Sequence, residues 1–345
     1  MSIKIKHDVL RKIRDDLGYS RTMVEEATGI KAERIQAVEE GKTGTSKSTV
    51  HYVEKLCEHY NLPLETIINY DYHASEIICF GMAKGGTAKS TSVAEVAYHL
   101  SKKFKVLVID GDPQSNVTRV LSEANSIDFQ DQSVMHLAAY LRCPEHEISE
   151  VEINNYIYKT KFKNIDIIRS HPDLYMAANI LKSKMLELGP YRVLREKLIN
   201  SGKYDYILID TSPYIDAATI GLYIIADKFF IPLNLEPFTR DSIPTFGNAI
   251  KLAKSSKVAL FPNSEFKING VFKTKVDYRK KVDKEISEFI NQTFSTLVLS
   301  TEIPLFEGVK QAQYGSELIS EFDNTTERGK LIYKAYKNLA NEVIK

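Results

Sequence analysis

The chain reads as an α/β protein: a doubly wound, mainly parallel sheet with flanking helices, preceded by a small all-α domain. Three observations predict this. From Glu76 onward, short apolar runs alternate with stretches of helical spacing. Most of those runs are continuously apolar, as strands covered on both faces require. Residues 1–70, by contrast, hold only helical patterns punctuated by glycines.

In chain order, Val9, Leu10, Ile13 and Leu17 share one helical face, and Gly18 closes that helix. Ser20 is placed to cap a helix over 21–28. Gly29-Ile30-Lys31 forms a tight turn into a third helix at 32–40, ended by Gly41. Two further helical patterns cover 48–60 and 63–68. Residues 69–75 are polar and aperiodic, which puts the first domain at 1–70, a linker at 71–75 and the second domain at 76–345. Strands are expected at 77–80, 106–110, 165–169, 206–209, 228–232, 268–272 and 297–303.

The chemistry concentrates where the first of these strands meets a helix. Ala83-Lys84-Gly85-Gly86-Thr87-Ala88-Lys89-Ser90-Thr91 follows the run Ile77-Ile78-Cys79-Phe80 and opens a helical segment. Strand, glycine-containing loop and helix hold a nucleoside triphosphate. Loop amides face the phosphates, a lysine (Lys89) reaches the β and γ oxygens, and a hydroxyl (Ser90) ligates Mg2+. Two later strands end in carboxylates, Asp110-Gly111-Asp112-Pro113-Gln114 and Asp210-Thr211-Ser212-Pro213. Ligands sit at the carboxyl ends of such sheets, and Mg2+ takes one or two carboxylates directly or through water. Asp210 suits the metal. Asp112, on a Gly-Asp-Pro turn, suits the metal's water shell or the attacking water. Taken singly, aspartates at such ends also cap turns.

Composition excludes other classes. Among 345 residues the formal net charge is +1, so any contact with nucleic acid must come from local patches. Cys57, Cys79 and Cys143 have no paired spacing, which argues against disulfides and a zinc knuckle and fits a reducing cytoplasm. The eight histidines show no metal-ligand spacing. No apolar run approaches a membrane span, and the first residues carry no apolar signal core.

Together these segments resemble the ParA/MinD-type ATPases. Lys84 to Thr91 is similar to their deviant Walker A loop and Asp110 to Asn116 to their Asp-x-Asp-Pro-Gln switch. Residues 165–174, Leu235-Glu236-Pro237-Phe238 and Glu302-Ile303-Pro304 resemble further partition-ATPase segments. The resemblance covers about 76–345, and the switch favours ParA over MinD. It implies an ATPase using ATP and Mg2+ that dimerises on ATP. Lys84 would reach the phosphates of the twin, Lys89 would hold its own, Ser90 and Asp210 would hold Mg2+, and Asp112 would orient water. It also implies slow hydrolysis stimulated by a ParB-like centromere-binding protein, and non-specific DNA contact in a cytoplasmic, nucleoid-associated protein without a membrane partner. One position departs: the family carries glycine before the second lysine, where this chain has Ala88. The adenine is expected near the loops after Phe272 and after Pro304.

Residues 9–68 resemble a Cro/repressor-type helix-turn-helix. Ile30, Ile35 and Val38 would face the core, leaving Lys31, Glu33, Arg34 and Gln36 outward to meet base edges, with Lys42, Lys47 and Ser48 near phosphates. Residues 1–70 hold eleven basic and eleven acidic side chains, however. A helical bundle for dimerisation or partner docking therefore stays open beside operator binding and self-repression. Lys273, Lys275, Arg279, Lys280, Lys281 and Lys284 form a cationic run that is either a solvated face or a surface for non-specific DNA. The tail repeats Leu331, Ala335, Leu339 and Val343 every four residues, which fits packing on the sheet or lying on a membrane. Beside the partition ATPase two other functions stand: a nucleotide-responsive transcriptional regulator, and a MinD-like membrane-positioning ATPase.

Overall fold

The computed structural model describes residues 2–43, 47–71, 75–123, 128, 134–143, 145–183, 188–262, 264–322 and 326–345. The chain divides into two compact units, Met1–His73 and Ala74–Lys345.

The first unit runs β1 (Ser2–Ile5), α1 (His7–Asp16), α2 (Arg21–Thr28), α3 (Ala32–Glu39), α4 (Lys47–His59) and β2 (Ile68–Asp71). Leu10, Val24, Ile35, Val38, Val53 and Leu56 close its core with no exposed surface. Ser20 caps α2 by accepting the Met23 N–H at 3.2 Å. The turn into α3 passes through Gly29 at φ 72°, where glycine avoids the cost a Cβ brings to the left-handed region. Glu25 then accepts the Ala32 N–H at 2.9 Å and fixes the entry to α3. Glu39 is buried between Arg14 and Arg21, at 2.5 and 2.8 Å. The helical expectation needs one addition here. β1 and β2 pair antiparallel, Ser2 opposite Asp71 through Ile5 opposite Ile68. The pattern at 63–68 becomes a 3-10 turn, Leu64–Thr66, feeding that strand. Four-residue strands leave too little period-2 signal to read, and their pairing partner lies some 60 residues away.

The second unit continues β3 (Glu76–Phe80), α5 (Lys89–Leu100), β4 (Val106–Gly111), α6 (Asn116–Leu121), α7 (Leu137–Leu141), α8 (Glu145–Ile148), β5 (Ile157–Lys159), β6 (Ile165–Ile168), α9 (Leu174–Ser183), α10 (Gly189–Asn200) and β7 (Tyr206–Thr211). It closes with α11 (Ala217–Ile225), β8 (Lys228–Asn234), α12 (Thr239–Leu260), β9 (Ile268–Val276), α13 (Lys281–Phe294), β10 (Val298–Pro304), α14 (Gly308–Tyr314), α15 (Ile319–Phe322) and α16 (Glu327–Val343). The sheet order is β10-β9-β8-β3-β7-β4-β6-β5, parallel throughout except for β5 on the edge. Every expected strand is present, and among the described residues of this sheet β5 is the one the sequence reading lacks, because three residues carry no pattern.

Strand side chains alternate between two cores. Ile77, Cys79, Leu107 and Ile109 pack under α7, α9, α10, α11 and α12. Ile78, Phe80, Val106 and Val108 pack under α5, α6 and α16. This doubly covered sheet puts β3 in the middle, between β7 and β8, so the loop leaving β3 emerges at the centre of the carboxyl edge. The tail belongs to the sheet: Ile332, Ala335, Tyr336, Leu339, Ala340 and Val343 of α16 are buried. Leu331, expected on that face, is 54% exposed. Among the described residues no helix is long and apolar enough to cross a membrane.

Candidate functional site

A cavity of about 430 Å³ opens at the carboxyl edge. One wall is the loop Gly85 to Thr91, and Asp112 and Ser316 to Ile319 complete it. Among the described residues neither loop expected near the base lines the cavity; the segment Ser316 to Ile319 that does so follows α14 rather than the strand end at Pro304.

The loop wraps around its own second lysine. Lys89 is the first residue of α5, nearly buried, and its ammonium donates to the Lys84 carbonyl at 3.0 Å. Burial pushes its pKa down, and the nearby Asp210 and Asp112 pull it back up. Thr274 of β9 steadies the loop from beneath, donating to the Thr87 carbonyl at 3.1 Å. Ala88 precedes α5 at φ 64° and ψ 27°. The left-handed region costs a residue with a Cβ about 1–2 kcal/mol. The glycine-to-alanine departure therefore falls on a position whose backbone asks for glycine.

Asp210 is the penultimate residue of β7 and has no exposed surface. The Ser90 hydroxyl faces it and lowers its pKa, while burial and the adjacent Asp110 raise it well above the carboxylate range. Neither of its oxygens has a hydrogen bond of ordinary geometry. A buried carboxylate without partners is costly, and a hard divalent cation is the partner it lacks. Ser90 and Asp210 thus fit Mg2+ on donor chemistry. Asp110, directly across the β4–β7 ladder, is already engaged: Thr118 donates to it through N–H (2.8 Å) and hydroxyl (2.7 Å), and Asp112 through N–H (3.1 Å). Burial pushes its pKa up to about 6 against those bonds. Between the two aspartates Gly111 is a necessity, because a Cβ there would lie 2.7 Å from the Asp210 carbonyl. Asp112 accepts the Gln114 N–H at 3.0 Å on one oxygen and reaches the cavity.

Lys84 faces away from this cavity. Its ammonium donates to Asn234 Oδ1 (2.9 Å), Glu236 Oε2 (2.9 Å) and Thr239 Oγ1 (3.0 Å), beyond the end of β8. The hydrogen bond from Lys84 lowers the Glu236 pKa. Sequence reading singled out Glu236 only as part of a family segment; the lysine it holds is visible from the fold alone.

Glu95 is a cavity residue that the sequence reading missed. On α5, with no exposed surface, it accepts the N–H groups of Ile319 (2.6 Å) and Ser320 (3.3 Å) and the Ser320 hydroxyl. It thereby joins the phosphate-loop helix to the segment lining the far wall. Its spacing in an apolar helix face was the available signal.

The cationic run does not hold together. Lys273 is buried in β9 and paired with Glu302 at 2.9 Å, because β9 extends past Phe272 to Val276. Lys275, in the left-handed region at φ 56°, brings its ammonium to the phosphate loop beside Gly86. Arg279 is doubly bonded to Asp277 at 2.6 and 2.7 Å. Lys280, Lys281 and Lys284 remain exposed, on and before α13. In the first unit Lys31, Glu33, Arg34 and Gln36 are exposed on and before α3, with Gln36 donating to Glu40 at 2.7 Å. Of the phosphate-contact candidates, Lys42 and Ser48 are exposed, and the side chain of Lys47 lies outside the described ones.

Folding also gathers His136, His171 and Asp173, which are dispersed in sequence, with ligand atoms within 4.8 Å of one another. Each imidazole Nδ1 accepts a backbone N–H at 3.1 Å, from Ala139 and from Asp173, and Arg142 engages Asp173 at 3.1 Å. Those lone pairs are used in capping.

A central phosphate loop, a partnerless acidic strand end and a parallel sheet define a nucleotide-binding P-loop protein. A family model described as an AAA domain (AAA_31) matches residues 75–268, and one described as a helix-turn-helix (HTH_3) matches residues 10–67. The chain belongs to the ParA/MinD-type P-loop ATPase family and carries a helix-turn-helix region before it. It is 26% identical to the chromosome-partitioning ATPase Soj of Treponema pallidum (77% of this chain, 96% of that one). It is 24% identical to the chromosome partitioning protein ParA of Caulobacter vibrioides (78% and 93%). Among solved structures, apo McdA from Cyanthece superposes with a TM-score of 0.64 at 23% identity (79% and 100%). A putative plasmid partition protein from Borrelia burgdorferi B31, bound to AMPPNP, gives 0.58 at 24% identity (78% and 97%).

Proposed function

We propose that this protein is a DNA-partition ATPase that dimerises on ATP, binds DNA without sequence preference and hydrolyses ATP slowly until a ParB-like partner stimulates it. The observation that carries the reading is Asp210, a buried carboxyl with no hydrogen bond of ordinary geometry, faced by the Ser90 hydroxyl and set beside the nearly buried Lys89. Such an arrangement destabilises an empty site and is relieved by a metal–triphosphate complex. Lys89 and the loop amides would bind the phosphates, Ser90 and Asp210 the Mg2+, and Asp112 would orient a water from its turn. Bound Mg2+ would supply charge neutralisation at the phosphate oxygens. Lys84 would exchange Asn234, Glu236 and Thr239 for the phosphates of a second protomer, acting where an arginine finger acts in other NTPases. The exposed face of α3, with Arg34 and Gln36, would read an operator, making the protein a repressor of its own operon.

Turnover with and without DNA and partner is the test. Lys84→Gln is expected to keep ATP binding and lose stimulated hydrolysis, and stimulated turnover equal to wild type would end the cross-subunit role. Arg34→Ala is expected to weaken operator footprinting; an unchanged footprint would remove α3 from the DNA. The strained Ala88 favours a second reading, a transcriptional regulator that uses nucleotide as an allosteric ligand. Under it Lys84→Gln is silent in promoter binding and wild type shows no turnover.

A further inference from the structure

A second recess, about 440 Å³, lies at the opposite end of the sheet. Among the described residues, Lys105, Lys159, Lys161, Lys163 and Lys203 line it, with Asp166 as the one carboxylate in its wall. These lysines come from three separate places: just before β4, around the loop from β5 to β6, and just before β7. The strands β4, β6 and β7 are parallel neighbours, so their amino ends converge there. Lys159, Lys161 and Lys163 alternate in one short stretch, and folding adds Lys105 and Lys203 from far away in sequence.

The recess is organised. Asp166 is buried, accepts the Lys159 ammonium at 2.9 and 3.0 Å and the Tyr204 hydroxyl at 2.8 Å, and has Lys203 at 3.9 Å. It draws two lysines together that would otherwise repel. Lys161 donates to the Ser316 carbonyl at 2.9 Å, and Lys105 and Lys163 are exposed. The nearby Asp205 accepts the backbone N–H of Lys105 at 2.7 Å. Five ammonium groups against one buried carboxylate attract a ligand with several closely spaced negative charges.

We infer that this recess docks the phosphodiester backbone of duplex DNA. The inference rests on the partition reading above and moves the DNA surface away from the run after Phe272. That run has lost Lys273 to Glu302, Lys275 to the phosphate loop and Arg279 to Asp277. Position supports the assignment as well. A dimer that shares Lys84 across two nucleotides joins the carboxyl edges of two sheets. The amino ends stay outside that contact, so DNA and a second protomer do not compete.

The test is fluorescence anisotropy of a short labelled duplex of unrelated sequence, titrated with the full chain, Mg2+ and a non-hydrolysable ATP analogue over a salt series. Lys105→Glu with Lys163→Glu is expected to weaken binding roughly tenfold or more and to flatten the log–log salt slope by about 2, one unit per lost phosphate contact. Both side chains are exposed, and the neutral pair Lys105→Gln with Lys163→Gln should flatten the slope equally with a smaller loss of affinity. Wild-type affinity and slope in both double variants would overturn the recess as the docking site. Wild type that fails to bind the duplex at low salt would instead overturn the partition reading itself.

Discussion

At the scale of single residues, this protein holds two costly features within one loop and one strand end. Ala88 occupies the left-handed region with a Cβ, and Asp210 is a buried carboxyl with no hydrogen bond of ordinary geometry. Ala88→Gly should relieve strain and remove a methyl group from the phosphate path. The expected outcome is a raised Tm and an ATP Kd lowered by up to roughly tenfold, about 1.4 kcal/mol, read by calorimetric titration; a weaker Kd would show that the methyl packs usefully. Asp210→Asn should raise the Tm of the nucleotide-free protein most at alkaline pH, where it removes the cost of ionising a buried carboxyl whose pKa burial has pushed well up. It should also erase the gain in ATP affinity that Mg2+ gives wild type. Retention of that gain would place the metal elsewhere.

At the scale of elements, Glu95 joins α5 to α15 across the nucleotide cavity. Burial, opposed by the bonds from Ser320 and Ile319, pushes its pKa up to about 7, with Glu321 adding to the rise. The ordinary value is 4.5, so the folded state favours the neutral acid. The corresponding stability is complete below pH 4.5 and is lost as pH rises through about 7, amounting to roughly 3 kcal/mol. Glu95→Gln keeps a neutral group of the same shape. Its thermal stability is expected to change less between pH 5 and 8 than that of wild type, as measured by calorimetry; parallel pH curves would show that Glu95 does not titrate in this window.

At the scale of the whole molecule, the proposed dimer turns on Lys84. Within one chain it is satisfied by three oxygens, one of them the carboxylate of Glu236. Dimerisation through Lys84 must give up those bonds. Glu236→Gln weakens the clamp by removing its charge, so the dimer fraction formed with an ATP analogue should rise at fixed concentration, seen by light scattering after gel filtration. A reduced fraction would mean that Glu236 contacts the partner.

The amino-acid sequence alone determined the order of the units, the parallel sheet and the residues of the phosphate loop. Those properties are local: apolar runs, glycine turns and a strand–loop–helix motif act over ten or so residues and leave their mark in the chain. The tertiary structure alone decided which charges stand free. Lys273 met Glu302 and Lys84 met Glu236 because neighbouring strands brought distant residues within 3 Å. Lys105 and Lys203 joined the lysines of residues 159–163 for the same reason. An ion pair depends on distance in space, and sequence separation carries no record of it.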